Sequence, residues 1–245
     1  DRGPGRGAPP RRLFQRRDRA GRGHRARARR GSAGPGLARA AGRTTGAVAN
    51  FYFSVLYNGD PWVPLRDMEV NDETRTIQYA RFHTDNGYTK FNLSIPSDAD
   101  LTTQVSIMID RHAPDYILYH NCSCDSVGHA YGSQSPEYKK TAWKIDNQLA
   151  QHVDFWRAKG YRILVTADHG NAEMMVDEKS GQTHTAHTLN PVPLVLVNAG
   201  SGVSGLSSGR LADVAPTILD LLNIEQPAEM TGQSLIQYAQ QTAAE

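Results

Sequence analysis

The spacing of apolar and polar positions changes several times along this 245-residue chain. Residues 44–53 (TTGAVANFYF) are an almost unbroken run of small and apolar side chains, which predicts a strand buried on both faces. Leu101, Val105, Met108 and Ile109 recur at helical spacing over residues 101–112, and Ser97-Asp98-Ala99-Asp100 ahead of them supplies caps. Pro114 ends that helix, and residues 116–119 (YILY) follow as a short buried strand. Residues 137–159 place Trp143, Ile145, Leu149, Val153 and Trp156 on one helical side, with Lys159-Gly160 as the stop. Residues 161–166 and 193–197 are apolar runs of strand length. Residues 212–222 and 232–240 read as helices, and residues 37–41 as a short one. The remaining stretches predict irregular structure: a turn at 58–61, loop with a short helix over 61–92, a loop at 121–132 (NCSCDSVGHAYG), and a Gly/Ser loop at 198–209.

The order of these elements, strands alternating with helices, predicts an α/β fold with a mainly parallel sheet sandwiched by helices. The folded part is expected over residues 37–245, as one incomplete domain. Residues 1–36 differ sharply from it. Over residues 1–43 there are fourteen Arg, no Lys and two Asp, a net of about +12. The formal charge of the whole chain is +2, so residues 44–245 carry about −10. The basic balance that elsewhere suggests nucleic acid therefore belongs to the tail alone. With almost no apolar side chains to bury, residues 1–36 are expected to be disordered. Three readings of them stay open: an Arg-rich nucleic-acid tail, a solvated tail without a role, and a stretch read in the wrong frame.

Two cysteines, Cys122 and Cys124, stand too close for an ordinary disulfide and are too few for a structural zinc site. A reduced, cytoplasmic chain is the expectation. No apolar run reaches the length of a membrane span, and the start lacks the apolar core of a secretory signal.

Candidate chemistry gathers where strands should end. Asp125 and His129 follow the strand YILY, Asp168 and His169 follow the strand at 161–166, and His187 precedes the strand at 193–197. In open α/β sheets, ligands collect at the carboxyl ends of strands. Taken singly, an Asp here is a turn former and a His a loop or core residue. Their recurrence at successive strand ends favours one shared site, and carboxylate with imidazole suits zinc or manganese. His184, three residues before His187, reads as an outer or surface residue. A two-metal phosphoryl-transfer site needs about five to seven ligands and a nucleophile. Five candidates are present. Thr44, Thr45 and Ser54 are within reach as nucleophile by sequence alone, but none follows an Asp-bearing strand, so the nucleophile is unassigned.

The pattern Asp-x-x-x-His, then Ala-Asp-His-Gly, then a downstream His resembles the metal core of the alkaline phosphatase superfamily. Residues 165–236 resemble the C-terminal end of cofactor-independent phosphoglycerate mutase, through TADHGNAEMM, THTAHTLNPVPLVLV, GRLADVAPTILDLL and QPAEMTGQSL. Residues 37–165 resemble instead the bacterial type I phosphodiesterase and nucleotide-pyrophosphatase-like hydrolases, through LARAAGRTTGAVA, PLRDMEV, PDYILYHNCSCDSVGHAYG and SPEYKKTAWKID. These resemblances imply two divalent ions, Mn2+ or Zn2+. Asp125, His129 and His187 would hold one, and Asp168 with His169 part of the other. They also imply a Ser or Thr nucleophile, and two-step transfer through a phosphoenzyme. After the Arg-rich stretch about 80 residues (44–124) precede the Asp125 loop, too few for the phosphotransferase domain of the mutase family. The leading expectation is therefore a metal-dependent phosphoric-ester hydrolase of phosphodiesterase type. A phosphoglycerate mutase-type metalloenzyme fragment is the alternative, and a non-catalytic metal-binding domain with a nucleic-acid tail a further one. The expected partner is a small phosphorylated substrate, with no membrane, nucleic acid only through the tail, and a monomeric chain.

Overall fold

A computed structural model describes residues 33–50, 53–58, 69–83, 98–170 and 187–239. The tail at residues 1–32 and His184 lie outside the described residues. Helix α1 (Ala33–Ala40) opens the described chain four residues before the expected boundary, and Pro35 in it is fully buried. Strand β1 (Thr45–Asn50) is buried at every position. It lies at the centre of a four-stranded sheet with β2 (Glu69–Asn71), β3 (Tyr79–His83) and β4 (Tyr116–Tyr119), in the order β2-β3-β1-β4. β1 is parallel to both neighbours, with Val48 opposite Arg81 on one side and Tyr119 on the other. A two-sided buried strand has no polar face to show, which is why its sequence is a continuous small and apolar run.

Helix α2 (Asp98–His112) covers one face of this sheet with the side read from the sequence: Leu101, Val105, Met108 and Ile109 are each 3% exposed. They close around Val48 and Trp156, the latter from helix α4 (Pro136–Ala158). Gly46 lets β1 approach α2, since a Cβ there would stand 2.6 Å from Met108 Sδ. α4 starts where Ser135 Oγ accepts the Tyr138 N–H and Pro136 occupies the first turn, a position that needs no N–H. On the other face Ala47, Ile77 and Ala80 pack with Phe53, Tyr57 and Leu118.

The α/β fold with a parallel central sheet is as expected, but several elements differ. Residues 121–132 are not a loop: helix α3 (Ser123–Tyr131) runs through them. Its Gly, Ser, Asn and Cys content hid it, yet Asn121 Oδ1 accepts the Ser123 N–H at its start. Gly128 permits close packing, because a Cβ there would touch the Tyr138 ring at 3.4 Å. Residues 61–92 contain β2 and β3, antiparallel to each other. Trp143, expected on the apolar side of α4, is 69% exposed.

The last third departs furthest. β5 (Ile163–Val165) and β6 (Val195–Val197) pair antiparallel in a sheet of their own, with Leu164 opposite Leu196. Neither is the buried strand its composition predicts: Val165 is 41% and Val195 49% exposed. The Gly/Ser stretch contains β7 (Val203–Leu206). The expected helix at 232–240 is instead strand β8 (Ile236–Tyr238), antiparallel to β7. Helix α5 (Val214–Leu221) explains that exchange. Its Thr217 Oγ1 accepts the Leu235 N–H, and Asp213 accepts the N–H groups of Arg210 and Gln233. Those bonds hold residues 233–235 extended against α5. Gly232 passes so close to Ala212 O that an added Cβ would lie 2.2 Å from it. No helix among the described residues is long and apolar enough to cross a membrane.

Candidate metal centre

The five residues singled out from the sequence lie beyond the carboxyl ends of β4 and β5, three of them with ligand atoms close together. α3 leaves the end of β4 and carries Asp125 and His129 four residues apart, hence on one helical face. His129 Nε2 stands 3.3 Å from Asp125 Oδ1. Asp168 and His169 follow β5, with His169 Nε2 3.5 Å from Asp168 Oδ1. His187 arrives on the strand that leads to β6. One bridge joins these last two segments: Thr188 N donates to Gly170 O at 2.8 Å. Each bridge residue neighbours an imidazole, so the His169 and His187 rings stack, with centroids 3.6 Å apart and planes within 15°.

The result differs in grouping from the sets implied by resemblance. Ligand atoms of Asp125, His169 and His187 all lie within 4.8 Å of one another. His129 stands behind this trio, its ring 6.2 Å from that of His187. Asp168 stands beside it, its side chain 79% exposed. The five residues thus form one contiguous cluster. His169 Nδ1 lies 3.1 Å from Gly170 O. A carbonyl only accepts, so this contact puts the ring proton on Nδ1 and turns the Nε2 lone pair toward the cluster.

A divalent ion fits this donor set. One carboxylate and two imidazoles are ordinary ligands of zinc and manganese. Ligand atoms about 2.0–2.2 Å from one ion are at most about 4.4 Å apart. Separations within 4.8 Å close to that with a sub-ångström adjustment of side chains, of which Asp125 and His187 are exposed.

A cleft of about 310 Å³ opens on the cluster. Asp125, Asp168 and His169 form its polar side, Tyr138, Pro191, Val192 and Pro193 an apolar wall, and Asn121 and Cys124 its floor toward β4. Neither a serine, a threonine, a lysine nor an arginine lines it among the described residues. Thr44 and Thr45, in reach by sequence alone, belong to the opposite end of the sheet. Thr44 bonds Asp115 at 2.9 Å and Thr45 is fully buried.

Two residues at the site were not singled out from the sequence. Asn121 is held at both ends: Oδ1 by Ser123 N, and Nδ2 on Tyr119 OH at 3.2 Å. Tyr119 OH in turn bonds Thr102 Oγ1 at 2.9 Å, which ties the start of α3 to α2. Asn two residues before a possible helix was the available signal, and it is a common way to satisfy a first-turn N–H. His120 extends the β4 ladder through its N–H to Val48 O, and its ring lies 5.0 Å from that of Phe53. Burial holds the His120 ring below the usual imidazole range, partly opposed by the charges of Asp168 and Asp125. Nothing in its sequence context marked it.

Residues 69–226 match the family described as Metalloenzyme superfamily. The chain is 47% identical over 122 residues to the 2,3-bisphosphoglycerate-independent phosphoglycerate mutase of Dinoroseobacter shibae, covering 50% of this chain and 24% of that protein. It is 48% identical over 141 residues to the protein of the same name from Rhodopseudomonas palustris, covering 57% of this chain and 27% of that one. The chain therefore spans about a quarter of the length of these relatives. Among solved structures it is similar to Leishmania mexicana phosphoglycerate mutase at low cobalt concentration. That match has a TM-score of 0.61 and 20% identity, over 84% of this chain and 39% of that one, and it supports the fold assignment.

Proposed function

We propose, from the premise that this chain belongs to the metalloenzyme superfamily, that it carries the metal-holding portion of a phosphoryl-transfer site of the cofactor-independent phosphoglycerate mutase type. The observation that carries the reading is the convergence of Asp125, His169 and His187 from three separate segments. Their relatives of 47% and 48% identity bear the name of that mutase, which favours this reading over the phosphodiesterase one.

Asp125, His169 and His187 hold one divalent ion. His129 and Asp168 extend the cluster to five donors, more than a four-coordinate ion takes with a solvent ligand, which supports a second ion. Either Mn2+ or Zn2+ suits the donors. An ion bound there supplies positive charge to a phosphoryl oxygen. The chain's residues do the rest. The His169–Gly170 contact keeps Nε2 facing inward, and Asn121 keeps α3 in register. The wall of Pro191, Val192, Pro193 and Tyr138 limits water at the reacting group. In the described part of the cleft, a small phosphorylated substrate meets its counter-charge at the metal.

Titration with 3-phosphoglycerate tests this. Binding is expected with Mn2+ present, absent without it, and absent in Asp125→Ala. Turnover of bis-nitrophenyl phosphate by a Mn2+-loaded chain that ignores phosphoglycerate would reverse the preference to the hydrolase.

A further inference from the structure

The cleft over the donor cluster has an apolar side as well as a charged one. Asp125, Asp168 and His169 line it together with the ring of Tyr138 and the run Pro191-Val192-Pro193. Both parts of that wall come from elements that also set the donors. Tyr138 stands in the first turn of α4, its N–H held by Ser135 Oγ at 3.1 Å. Its ring packs on α3 at Gly128, between Asp125 and His129, where an added Cβ would lie 3.4 Å from it. Pro191 to Pro193 lie on the segment that runs from His187 to β6. The wall is therefore fixed relative to the donors.

Its chemistry is that of a preformed apolar subsite. Two of the three positions in the run are proline, whose ring locks φ and which has no N–H to offer. Pro191 and Pro193 are exposed and Val192 is half-buried. An apolar surface left open inside a cleft, beside a few convergent polar groups, is the ordinary make-up of a small-molecule site. The volume of about 310 Å³ is at the small end of the roughly 300–1,000 Å³ that such sites span. It suits a phosphoryl group that carries one compact apolar group. Tyrosine and proline rings offer broad, rigid surface, which a flat aromatic group covers with little loss of freedom. A charged or hydroxylated group gains little from the same surface.

We propose that this cleft takes phosphoric monoesters with an aromatic ester group, the phosphoryl oxygens toward the ion at Asp125, His169 and His187 and the ring against Tyr138, Val192 and the two prolines. The inference rests on the metal reading above and names a substrate class for that site. Tyr138 and Val192 are its specificity-determining residues.

The test is calorimetric titration of the Mn2+-loaded chain with phenyl phosphate, methyl phosphate and 3-phosphoglycerate, for wild type, Tyr138→Ala, Tyr138→Phe and Val192→Thr. Phenyl and methyl phosphate share the phosphoryl group and differ in the apolar area they bury. Wild type should bind phenyl phosphate about tenfold or more tighter than methyl phosphate. Tyr138→Ala and Val192→Thr should each cut that ratio about threefold or more. Tyr138→Phe should keep it, because the ring and not the hydroxyl makes the contact. Thr has the shape of Val, so Val192→Thr reports on the subsite even if Tyr138→Ala fails to fold. The methyl resonances of Val192 should also shift on addition of phenyl phosphate and stay in place with methyl phosphate. Equal affinity of wild type for the phenyl and methyl esters overturns the aromatic subsite, and Mn2+-dependent binding of 3-phosphoglycerate in that case leaves the metal reading standing. A ratio unchanged in Val192→Thr and in folded Tyr138→Ala overturns it as well. Binding of none of the three esters overturns the metal reading itself, and this inference with it.

Discussion

The two halves of the donor cluster stand on unlike supports. Asp125 and His129 sit on α3, whose start is bonded to Tyr119 and through it to α2, and whose side packs on α4. That half is continuous with a core in which Val48, Leu101, Val105, Met108, Ile109 and Trp156 are at most 5% exposed. Asp168, His169 and His187 sit on the antiparallel pair β5–β6, whose Val165 and Val195 are exposed. Ile163 is the contact of that pair with the core, and the Gly170–Thr188 bridge holds the two imidazole-bearing segments together. One half is placed by burial and the other by a few backbone bonds. A bound ion therefore does different work for each: it takes up a ligand already fixed on α3 and gathers ligands on the hairpin. Since an ion that binds the folded state alone stabilises it by mass action, its stabilisation should fall mainly on the hairpin half.

Changes that strike one half but spare the other break or sharpen this contrast. The largest effect belongs to the core. Trp156→Ala removes a ring that packs on Tyr119 and donates Nε1–H to Ser106. It should cost about 3–5 kcal/mol in denaturant unfolding. Next is Asn121→Ala, which leaves the Ser123 N–H and Tyr119 OH without their shared partner. About 1–2 kcal/mol of stability should go, and metal affinity should fall with it because Asp125 loses its register. Thr188→Pro comes third on the stability scale. It deletes the N–H that bonds Gly170 O and should shift the melting temperature little, yet weaken metal binding about tenfold or more. Comparable losses of stability and affinity there would mean that the hairpin is part of the core after all. Smallest is Val195→Ala on the exposed edge, expected within about 0.5 kcal/mol of wild type. A larger cost would show that this strand face is covered in solution.

The same contrast explains what could be read from the sequence. α2 is legible because deep burial imposes a period on side chains, which Leu101, Val105, Met108 and Ile109 keep without exception, and β1 because burial on both faces leaves a continuous small and apolar run. α3 is not, because Asn121 capping and the contact of Gly128 with Tyr138 decide it rather than its composition. The β8 segment predicts a helix since Leu235, Ile236 and Tyr238 fit either period, and tertiary bonds from Thr217 and Asp213 settle the choice. Asp125, His129, Asp168, His169 and His187 stand out as residue types at strand ends, and the structure brings ligand atoms of Asp125, His169 and His187 within 4.8 Å of one another. Their grouping is not legible, because it depends on a bridge between segments seventeen residues apart or more. Asn121 is not legible as part of the site, since its role is to bond Ser123 N and Tyr119 OH, which leaves little mark in residue type.

The central claim is that Asp125, His169 and His187 form one divalent-metal site. Titration of the metal-free chain with Mn2+, compared with Asp125→Ala, His169→Ala and His187→Ala, tests it most directly. Wild type should bind saturably, and each variant should lose at least about tenfold, roughly 1.4 kcal/mol, with the metal-free fold retained. Binding that is the same in wild type and in all three variants would contradict it.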